Sequence, residues 1–405
     1  MASTETPFQI SVPDSKIASL KAKLEQVTFP DELEDAGWDY GSPLADVKRL
    51  VARWKNGYDW RVHEARINND LPQFTRDIEV AGFGVLNIHY VHQKSSRKNA
   101  IPLLYSHGWP GSFLEASKIL PLLTNPTAPD QVAFHVVAIS LPGFGFSDAP
   151  KKPGFKAAHY AEVAHKVMLS LGYDEYVTEG GDWGYLVTRI MAQTYGPKHS
   201  KAWHTNHPRG APPSLTGSPL LYLANLFTPL TEAEQKGKER TKEINEYGMG
   251  YFAEQSTRPQ TLGYSLNDSP VGLLAWIYEK LIHWTDEYPW DDDEVLTWIS
   301  IYWFSKAGPA ASLRIYYETV KHNERGVRSS DAPTIPHGAS FFPKEIIREP
   351  ITWIRNANNL VFTSENERGG HFASYERPDA ITNDLRSMFG KEGPAHGVVE
   401  GLNGL

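Results

Sequence analysis

Residues 180–184 carry the side chain best suited to covalent chemistry in this chain. Their sequence, GGDWG, has the glycine spacing of a nucleophile elbow, a sharp turn that presents one side chain at the end of a strand. The presented residue is Asp182, where a serine hydrolase would have serine. A free carboxyl group titrates near ~3.9, so Asp182 is expected to be an anion that attacks a saturated carbon without a base. That attack would leave an alkyl ester on the protein.

An ester on Asp182 must be hydrolysed, which calls for a histidine base oriented by a second carboxylate. In folds with this elbow the chain order is nucleophile, acid, histidine. His371, in the segment GGHFA, follows the last predicted strand and fits the final place. Spacing alone leaves five carboxylates open as the acid: Asp331, Glu345, Glu349, Glu365 and Glu367. Glu345 follows a predicted strand end, as the role requires.

A loop with the sequence HGWPGS at residues 107–112 follows the predicted strand 101–106. In a fold of this kind, the loop at this place gives one backbone N–H of an oxyanion hole, and the residue after the nucleophile gives the other. The two donors would be Trp109 and Trp183. They would stabilise the oxyanion that forms when water attacks the ester of Asp182.

The elements that must position these residues are strands alternating with helices. Strand patterns occur at residues 84–93, 101–106, 132–141, 176–178, 202–204, 334–342 and 359–363. Helical patterns occur at residues 14–26, 43–54, 160–171, 185–195 and 378–388. This alternation predicts an α/β fold with a mostly parallel central sheet, and places Asp182 at a strand-to-helix junction.

Three regions follow from these patterns. Residues 1–80 are expected to form a helical N-terminal extension that wraps the core and lid, and residues 81–213 and 321–405 the α/β core. Residues 214–320 are helical and rich in tryptophan, so they are predicted to form a lid over the carboxyl ends of the strands. The acidic run at residues 291–294 is expected to begin a helix, where it suits the helix dipole.

Composition excludes several classes of function. The net charge of −8 gives no basic surface for nucleic acid or anionic membranes, and the absence of cysteine excludes disulfides and thiolate metal sites. Residues 1–7 do not resemble a signal peptide, and no apolar run reaches the ~20 residues of a membrane span. A soluble, cytoplasmic protein without cofactors is expected. The pairs His89/His92 and His204/His207 have metal-like spacing, but no third ligand is evident, so no metal site is predicted.

Four motifs in order, HGWPGS, GGDWG, FFPKE (residues 341–345) and GGHFA, resemble the microsomal-type epoxide hydrolases, particularly their soluble fungal members. The N-terminal segments WDYG, YDWR and PQFT also resemble that family. The resemblance covers nearly the whole chain and implies an α/β-hydrolase fold. It also selects Glu345 as the charge-relay acid. The sequence departs from the membrane-bound members in lacking their apolar anchor, so a microsomal location is not expected.

Opening an epoxide releases a basic alkoxide, and a phenol that is still protonated at neutral pH can supply its proton. The resemblance implies two lid tyrosines in this role, Tyr251 and Tyr316, with Tyr317 left open as an alternative to Tyr316. The expected reaction converts a small apolar epoxide and water to a diol. Alternatives are a haloalkane or haloacid dehalogenase with the same aspartate elbow, and a non-catalytic ligand-binding homologue. The sequence leaves the oligomeric state open and is compatible with a homodimer.

Overall fold

The structure is a computed structural model that describes residues 5–405. In this range nine strands form one sheet: β1 (Thr6–Phe8), β2 (Gln73–Val80), β3 (Gly84–Gln93), β4 (Ile101–Ser106), β5 (Phe134–Ile139), β6 (Tyr176–Gly180), β7 (Ser200–Thr205), β8 (His337–Phe341) and β9 (Leu360–Glu365). The spatial order is β1-β2-β3-β5-β4-β6-β7-β8-β9. Strands β4 to β9 run parallel, while β1, β2 and β3 join antiparallel at one edge.

Sixteen α-helices of the described chain surround or cover this sheet. They are α1 (Asp14–Glu25), α2 (Leu44–Asn56), α3 (Trp60–Asp70), α4 (Ile119–Thr124), α5 (Ala157–Ser170), α6 (Trp183–Tyr195), α7 (Pro219–Phe227), α8 (Glu232–Glu243), α9 (Gly250–Thr257), α10 (Pro259–Asp268), α11 (Pro270–His283), α12 (Asp292–Trp303), α13 (Arg314–Lys321), α14 (Ile351–Ala357), α15 (Ala373–Glu376) and α16 (Pro378–Phe389). No helix within residues 5–405 is long and apolar enough to cross a membrane.

The central strands are buried on both faces. Every residue of β4 and β6 is buried, and β4 is a nearly continuous apolar run, IPLLYS. Strands with helices on both faces have this character, because neither face meets water. The predicted α/β fold with a mostly parallel sheet is therefore confirmed, and the strands predicted at residues 84–93 and 101–106 match β3 and β4 residue for residue.

The N-terminal region departs from its helical prediction at two places, the short strand β1 and residues 73–80. Residues 73–80, expected within a helical extension, form β2, which pairs antiparallel with β3 through the register Val80 to Gly84. Gly82 and Gly84, at the hairpin turn between β2 and β3, have φ angles of +81°. Glycine adopts this conformation more readily than other residues. Every second residue at the end of β2 is buried, namely Arg76, Ile78 and Val80. This spacing of two residues is typical of a strand with one face in the core. Helices α1 and α2 lie where helices were predicted.

Helices α7 to α13 lie between β7 and β8, and residues 214–320 are called the lid segment below. The acidic run begins helix α12, as expected: Asp291 is its N-cap residue, and its carboxylate accepts a hydrogen bond of 2.8 Å from the N–H of Glu294. The N-terminal region holds this end of α12. Arg49 of α2 forms an ion pair with Asp292, and Arg53 makes two hydrogen bonds, of 2.7 and 2.8 Å, to Asp293.

Candidate active site

Asp182 sits in the turn between β6 and α6. Its φ of 52° and ψ of −122° are strained for a residue with a side chain. Glycines make room for the turn: a Cβ on Gly184 would lie 1.9 Å from the carbonyl oxygen of Ser106, and a Cβ on Gly180 would lie 2.8 Å from Gly184. The sequence GGDWG thus permits a conformation that lifts Asp182 to the carboxyl edge of the sheet, as predicted.

The carboxylate of Asp182 rests against the loop of residues 107–112. Its Oδ1 accepts a hydrogen bond of 2.8 Å from the backbone N–H of Trp109. Gly108 allows this approach, since a Cβ there would lie 2.3 Å from the Asp182 side chain. Asp182 is also the N-cap residue of α6, where the helix dipole favours negative charge.

His371 and Glu345 complete a line of hydrogen-bonding groups behind Asp182. His371 Nε2 lies 3.5 Å from Oδ2 of Asp182, and His371 Nδ1 lies 2.7 Å from Oε1 of Glu345. Both side chains are almost fully buried, and they enter from loops that follow β9 and β8. The backbone of His371 is fixed as well. Its N–H donates to Trp284 O at 2.7 Å, and Asn206 Nδ2 donates to its carbonyl at 3.0 Å.

The three groups shift one another's pKa values. Burial opposes the charge on each of them, but the mutual attraction is stronger. The charge of His371 holds the pKa of Glu345 well below its usual range. The charge of Glu345, followed by a hydrogen bond to Asp182, raises the pKa of His371 well above its usual range. The hydrogen bond to His371 lowers the pKa of Asp182. The resting site is therefore a buried carboxylate–imidazolium–carboxylate group.

His207 is a further histidine that sequence reasoning considered only as a metal ligand. Its Nδ1 lies 3.1 Å from Oε1 of Glu345, and its ring lies 5.6 Å from that of His371. The nitrogen and oxygen atoms of His207, Glu345 and His371 lie within 4.8 Å of one another. The sequence showed no third ligand for the pair His204/His207, whereas in the structure His207 lies close to Glu345 and His371. His204 turns away, since its two ring nitrogens pair with Glu179 and Ser340.

The other metal-like pair serves the packing of the sheet. His89 bonds to Ser140 and Gln73 through its two nitrogens, at 2.8 and 3.1 Å. His92 bonds through Nε2 to the hydroxyl of Tyr173 at 2.9 Å. These histidines lie on β3, and the group that the structure assembles around Glu345 contains neither of them.

Tyr251 of α9 and Tyr316 of α13 face each other beside Asp182, with ring centroids 6.0 Å apart. Tyr251 stacks on Trp109 at 5.3 Å, and Tyr316 meets the edge of Trp183 at 4.7 Å. Burial raises the pKa of both phenols, and the charge of Asp182 adds to the effect, so both remain protonated at neutral pH.

The degree of burial shows which of the adjacent residues Tyr316 and Tyr317 faces the cavity. Tyr316 is 1% exposed, and its hydroxyl makes no hydrogen bond within the described residues. Tyr317 points away from the cavity, and Lys321 lies 5.2 Å from its ring centroid. Tyr316 is therefore the residue of this pair that faces Asp182.

A cavity of about 60 Å³ lies between Asp182 and the two tyrosines. Apolar side chains form much of its wall: Leu186, Met249, Phe252, Val327, Ile346 and Ile347. Arg209 and Arg325 reach its rim. A larger cavity, of about 910 Å³, lies between the N-terminal helices and α12, and its lining includes neither Asp182 nor His371.

Two donors of α12 hold the loop that contacts Asp182. Trp298 Nε1 donates to the carbonyl of Pro110, and the hydroxyl of Tyr302 donates to the carbonyl of Gly111, each at 2.6 Å. Beneath the same loop, Glu115 accepts a hydrogen bond of 3.2 Å from the hydroxyl of Tyr105. Burial raises the pKa of Glu115 to about 8 despite the opposing charge of His371. Sequence reasoning missed these residues because no motif brings them together.

Comparison with known proteins gives a consistent result. A family model described as "Epoxide hydrolase N terminus" matches residues 5–116, and one described as "alpha/beta hydrolase fold" matches residues 101–229. Epoxide hydrolase 1 of Sus scrofa is 35% identical over 423 residues, which span 95% of this chain and 88% of that protein.

Solved structures agree with the sequence matches. The epoxide hydrolase of Aspergillus niger superposes with a TM-score of 0.80 at 34% identity, covering 94% of this chain and 95% of that one. The juvenile hormone epoxide hydrolase of Bombyx mori gives a TM-score of 0.84 at 29% identity, over 95% and 93%. With the aspartate elbow and paired tyrosines in place, these matches identify the chain as a member of the epoxide hydrolase family, with the α/β-hydrolase fold.

Proposed function

We propose that this enzyme hydrolyses epoxides to vicinal diols through a covalent ester on Asp182. The observation that carries the proposal is the position of Asp182, strained at the elbow and held between the N–H of Trp109 and Nε2 of His371. A carboxylate there is an anion with a fixed direction of attack. Its low pKa keeps it ionised, and the turn leaves one oxygen free of the Trp109 hydrogen bond.

In the first step, Asp182 attacks one ring carbon and forms a C–O bond while the ring C–O bond breaks. The ring oxygen leaves as an alkoxide and takes a proton from Tyr251 or Tyr316. Burial raises the pKa of both phenols, which makes them weak acids in the resting site. The alcohol formed from the alkoxide is a weaker acid still, so proton transfer from the phenol to the alkoxide is favourable. The phenolate then recovers its proton.

In the second step, water attacks the carbonyl carbon of the Asp182 ester while neutral His371 takes a proton from that water. The tetrahedral intermediate then collapses: the bond between the carbonyl carbon and the diol oxygen breaks, His371 gives its proton to that oxygen, and the diol leaves. The proton on the regenerated carboxyl group of Asp182 returns to His371.

Formation of the ester neutralises Asp182, and with it one of the interactions that raise the pKa of His371 disappears. The imidazolium of His371 can therefore release its proton, and this proton restores the phenol of Tyr251 or Tyr316. Glu345 orients the ring for its role as base. The N–H groups of Trp109 and Trp183 are proposed to receive the oxyanion.

The dehalogenase alternative is weaker because a halide leaves without a proton. Two buried phenols aimed at the space before Asp182 are what an oxygen leaving group needs. A non-catalytic ligand-binding homologue would need none of this arrangement. Chloride release measured beside diol formation separates the two enzymatic alternatives.

Further expectations about the protein remain predictions. The small apolar cavity supports small apolar epoxides as substrates. The division into an extension (1–80), a core (81–213 and 321–405) and a lid (214–320) is our proposal for the domains. A cytoplasmic location and a homodimer are also proposals, to be tested by cell fractionation and by sedimentation.

A single turnover in ¹⁸O-labelled water tests the mechanism. With enzyme in excess over epoxide, the new diol oxygen should come unlabelled from Asp182, and the label should enter the protein. Under multiple turnovers the label should appear in the diol. A labelled diol in the first turnover would show direct attack by water and overturn the covalent step. Asp182→Asn is the control and should form no ester.

A further inference from the structure

Lys280 of α11 is a buried lysine that the mechanism above does not use. The residue is 3% exposed, and burial lowers the pKa of its ammonium group. Glu279 opposes that shift through an ion pair of 2.6 Å, the one ion pair that Lys280 makes within residues 5–405, and keeps the lysine protonated at neutral pH. Burying an ammonium group costs free energy unless its surroundings compensate for the lost water.

Three aromatic rings surround this ammonium group. Its Nζ lies 4.8 Å from the ring centroid of Tyr251, 5.8 Å from that of Trp284 and 6.0 Å from that of Trp276. Trp276, Lys280 and Trp284 follow one another at intervals of four residues, so they share one face of α11 and its C-terminal end. A cation within about 6 Å of a ring centroid is attracted to the negative face of the ring.

Helix α9 presents Tyr251 to this lysine in a fixed register. Nε1 of Trp276 donates a hydrogen bond of 3.0 Å to Oε1 of Gln255, which is fully buried. Gln255 lies one turn after Tyr251 in α9. Trp276 lies one turn before Lys280 in α11. The two helices therefore meet at two points, and the second point brings the ammonium group over the ring of a proposed proton donor.

We propose that Lys280 is a positioning residue for ring opening, which holds Tyr251 and stabilises the negative charge that this phenol acquires when it gives up its proton. The proposal rests on the epoxide hydrolysis described above. The proton passes from the hydroxyl of Tyr251 to the epoxide oxygen as the ring C–O bond breaks, and the charge of the resulting phenolate spreads into the aromatic ring. A cation over the ring attracts a phenolate more strongly than a phenol, so the contact strengthens during the step. Lys280 keeps its own protons throughout.

Lys280→Met tests this role, because methionine keeps most of the apolar length of the side chain and removes the charge. Rapid quench of a single turnover, followed by mass measurement, gives the rates of ester formation and ester hydrolysis separately. Ester formation should slow about 5- to 30-fold, while ester hydrolysis stays within about threefold of the wild-type rate. Lys280→Arg places a cation over the ring again and should form the ester faster than Lys280→Met. Lys280→Gln is a second uncharged variant with the same expected result as methionine.

Lys321→Met is the matched control, because Nζ of Lys321 lies 5.2 Å from the ring centroid of Tyr317, a tyrosine outside the cavity. It should form and hydrolyse the ester at the wild-type rates. Ester formation at the wild-type rate in Lys280→Met or Lys280→Gln would overturn the proposal, and so would an equal slowing of both steps, which a general loss of structure produces. A wild-type protein that forms no ester would count against epoxide hydrolysis itself, so the two failures stay distinct.

Discussion

The indole N–H of Trp298 donates a hydrogen bond of 2.6 Å to the carbonyl of Pro110, the residue that follows Trp109. Trp298 belongs to α12 in the lid segment, and Trp109 is the residue whose N–H contacts Asp182. Tyr302, one turn later, holds the next carbonyl at Gly111. The lid segment therefore positions the proposed oxyanion donor through two consecutive carbonyl groups.

Replacing Trp298 by phenylalanine should slow hydrolysis of the ester about 10-fold. The change leaves a buried carbonyl without its donor and frees the loop to shift away from Asp182. Single-turnover decay of the ester by rapid quench and mass measurement checks this. Trp303→Phe is the control, because Trp303 ends the same helix and makes no hydrogen bond to this loop. An ester that decays at the wild-type rate in Trp298→Phe would contradict the positioning role.

Replacing His371 by glutamine should let the ester form and then persist. Attack by Asp182 needs no base, whereas hydrolysis loses its proton acceptor, so turnover should fall by about 10²–10⁴-fold. Intact-mass measurement should show the protein plus one epoxide. The double variant with Asp182→Asn should show no adduct. An unmodified His371→Gln protein after incubation with a substrate would argue against the two-step scheme.

Replacing Tyr316 by phenylalanine should slow ring opening at least about 10-fold. The loss should stay below that of a complete general acid, about 10²–10⁴-fold, because Tyr251 remains as a donor. Tyr317→Phe should be near wild type, since this ring faces Lys321 outside the cavity. The rate of ester formation, measured in the His371→Gln background, gives the comparison. A larger effect at Tyr317 would reverse the assignment.

Replacing Glu115 by glutamine should change how stability depends on pH. The pKa of Glu115 is about 8 in the folded protein, against 4.5 as the ordinary value. Between these two pH values the folded state keeps a proton that the unfolded state has released, so the wild type loses stability as pH rises. Glutamine cannot titrate and imitates the protonated acid. The difference in Tm between Glu115→Gln and wild type should therefore grow in favour of the variant from pH 4.5 to 8.

The control for this experiment is Glu239→Gln, at an exposed position of α8. Its difference in Tm from wild type should not follow pH over the same interval. Calorimetry at four or more pH values gives the comparison. A constant offset between Glu115→Gln and wild type across that interval would mean that Glu115 is already ionised in the fold.

Local sequence was sufficient to predict those site residues whose positions depend on their neighbours in the chain. The glycine spacing around Asp182 is a local pattern, so the elbow could be predicted from five residues, although a Cβ on Gly184 is excluded by the distant Ser106. The acid could not be found by spacing, because competing carboxylates differ only in their tertiary partners. Glu349 binds Arg209 and Glu365 binds Arg348, whereas Glu345 meets His371.

Other features depend on contacts between distant segments. The strand β2 was missed because its pattern becomes clear only beside β3, its antiparallel neighbour. His207 and Trp298 likewise acquire their roles from Glu345 and Pro110, which lie more than a hundred residues away in the chain. Such pairs leave no periodic signal in one sequence.

The ion pairs between α2 and α12 make the site sensitive to ionic strength. The arginine side chains of the Arg49–Asp292 and Arg53–Asp293 pairs are 47% and 43% exposed, so dissolved salt screens both pairs. Screening weakens the attachment of the helix whose Trp298 holds Pro110. An uncharged epoxide should therefore be turned over more slowly at high ionic strength, even though salt does not act on the substrate itself.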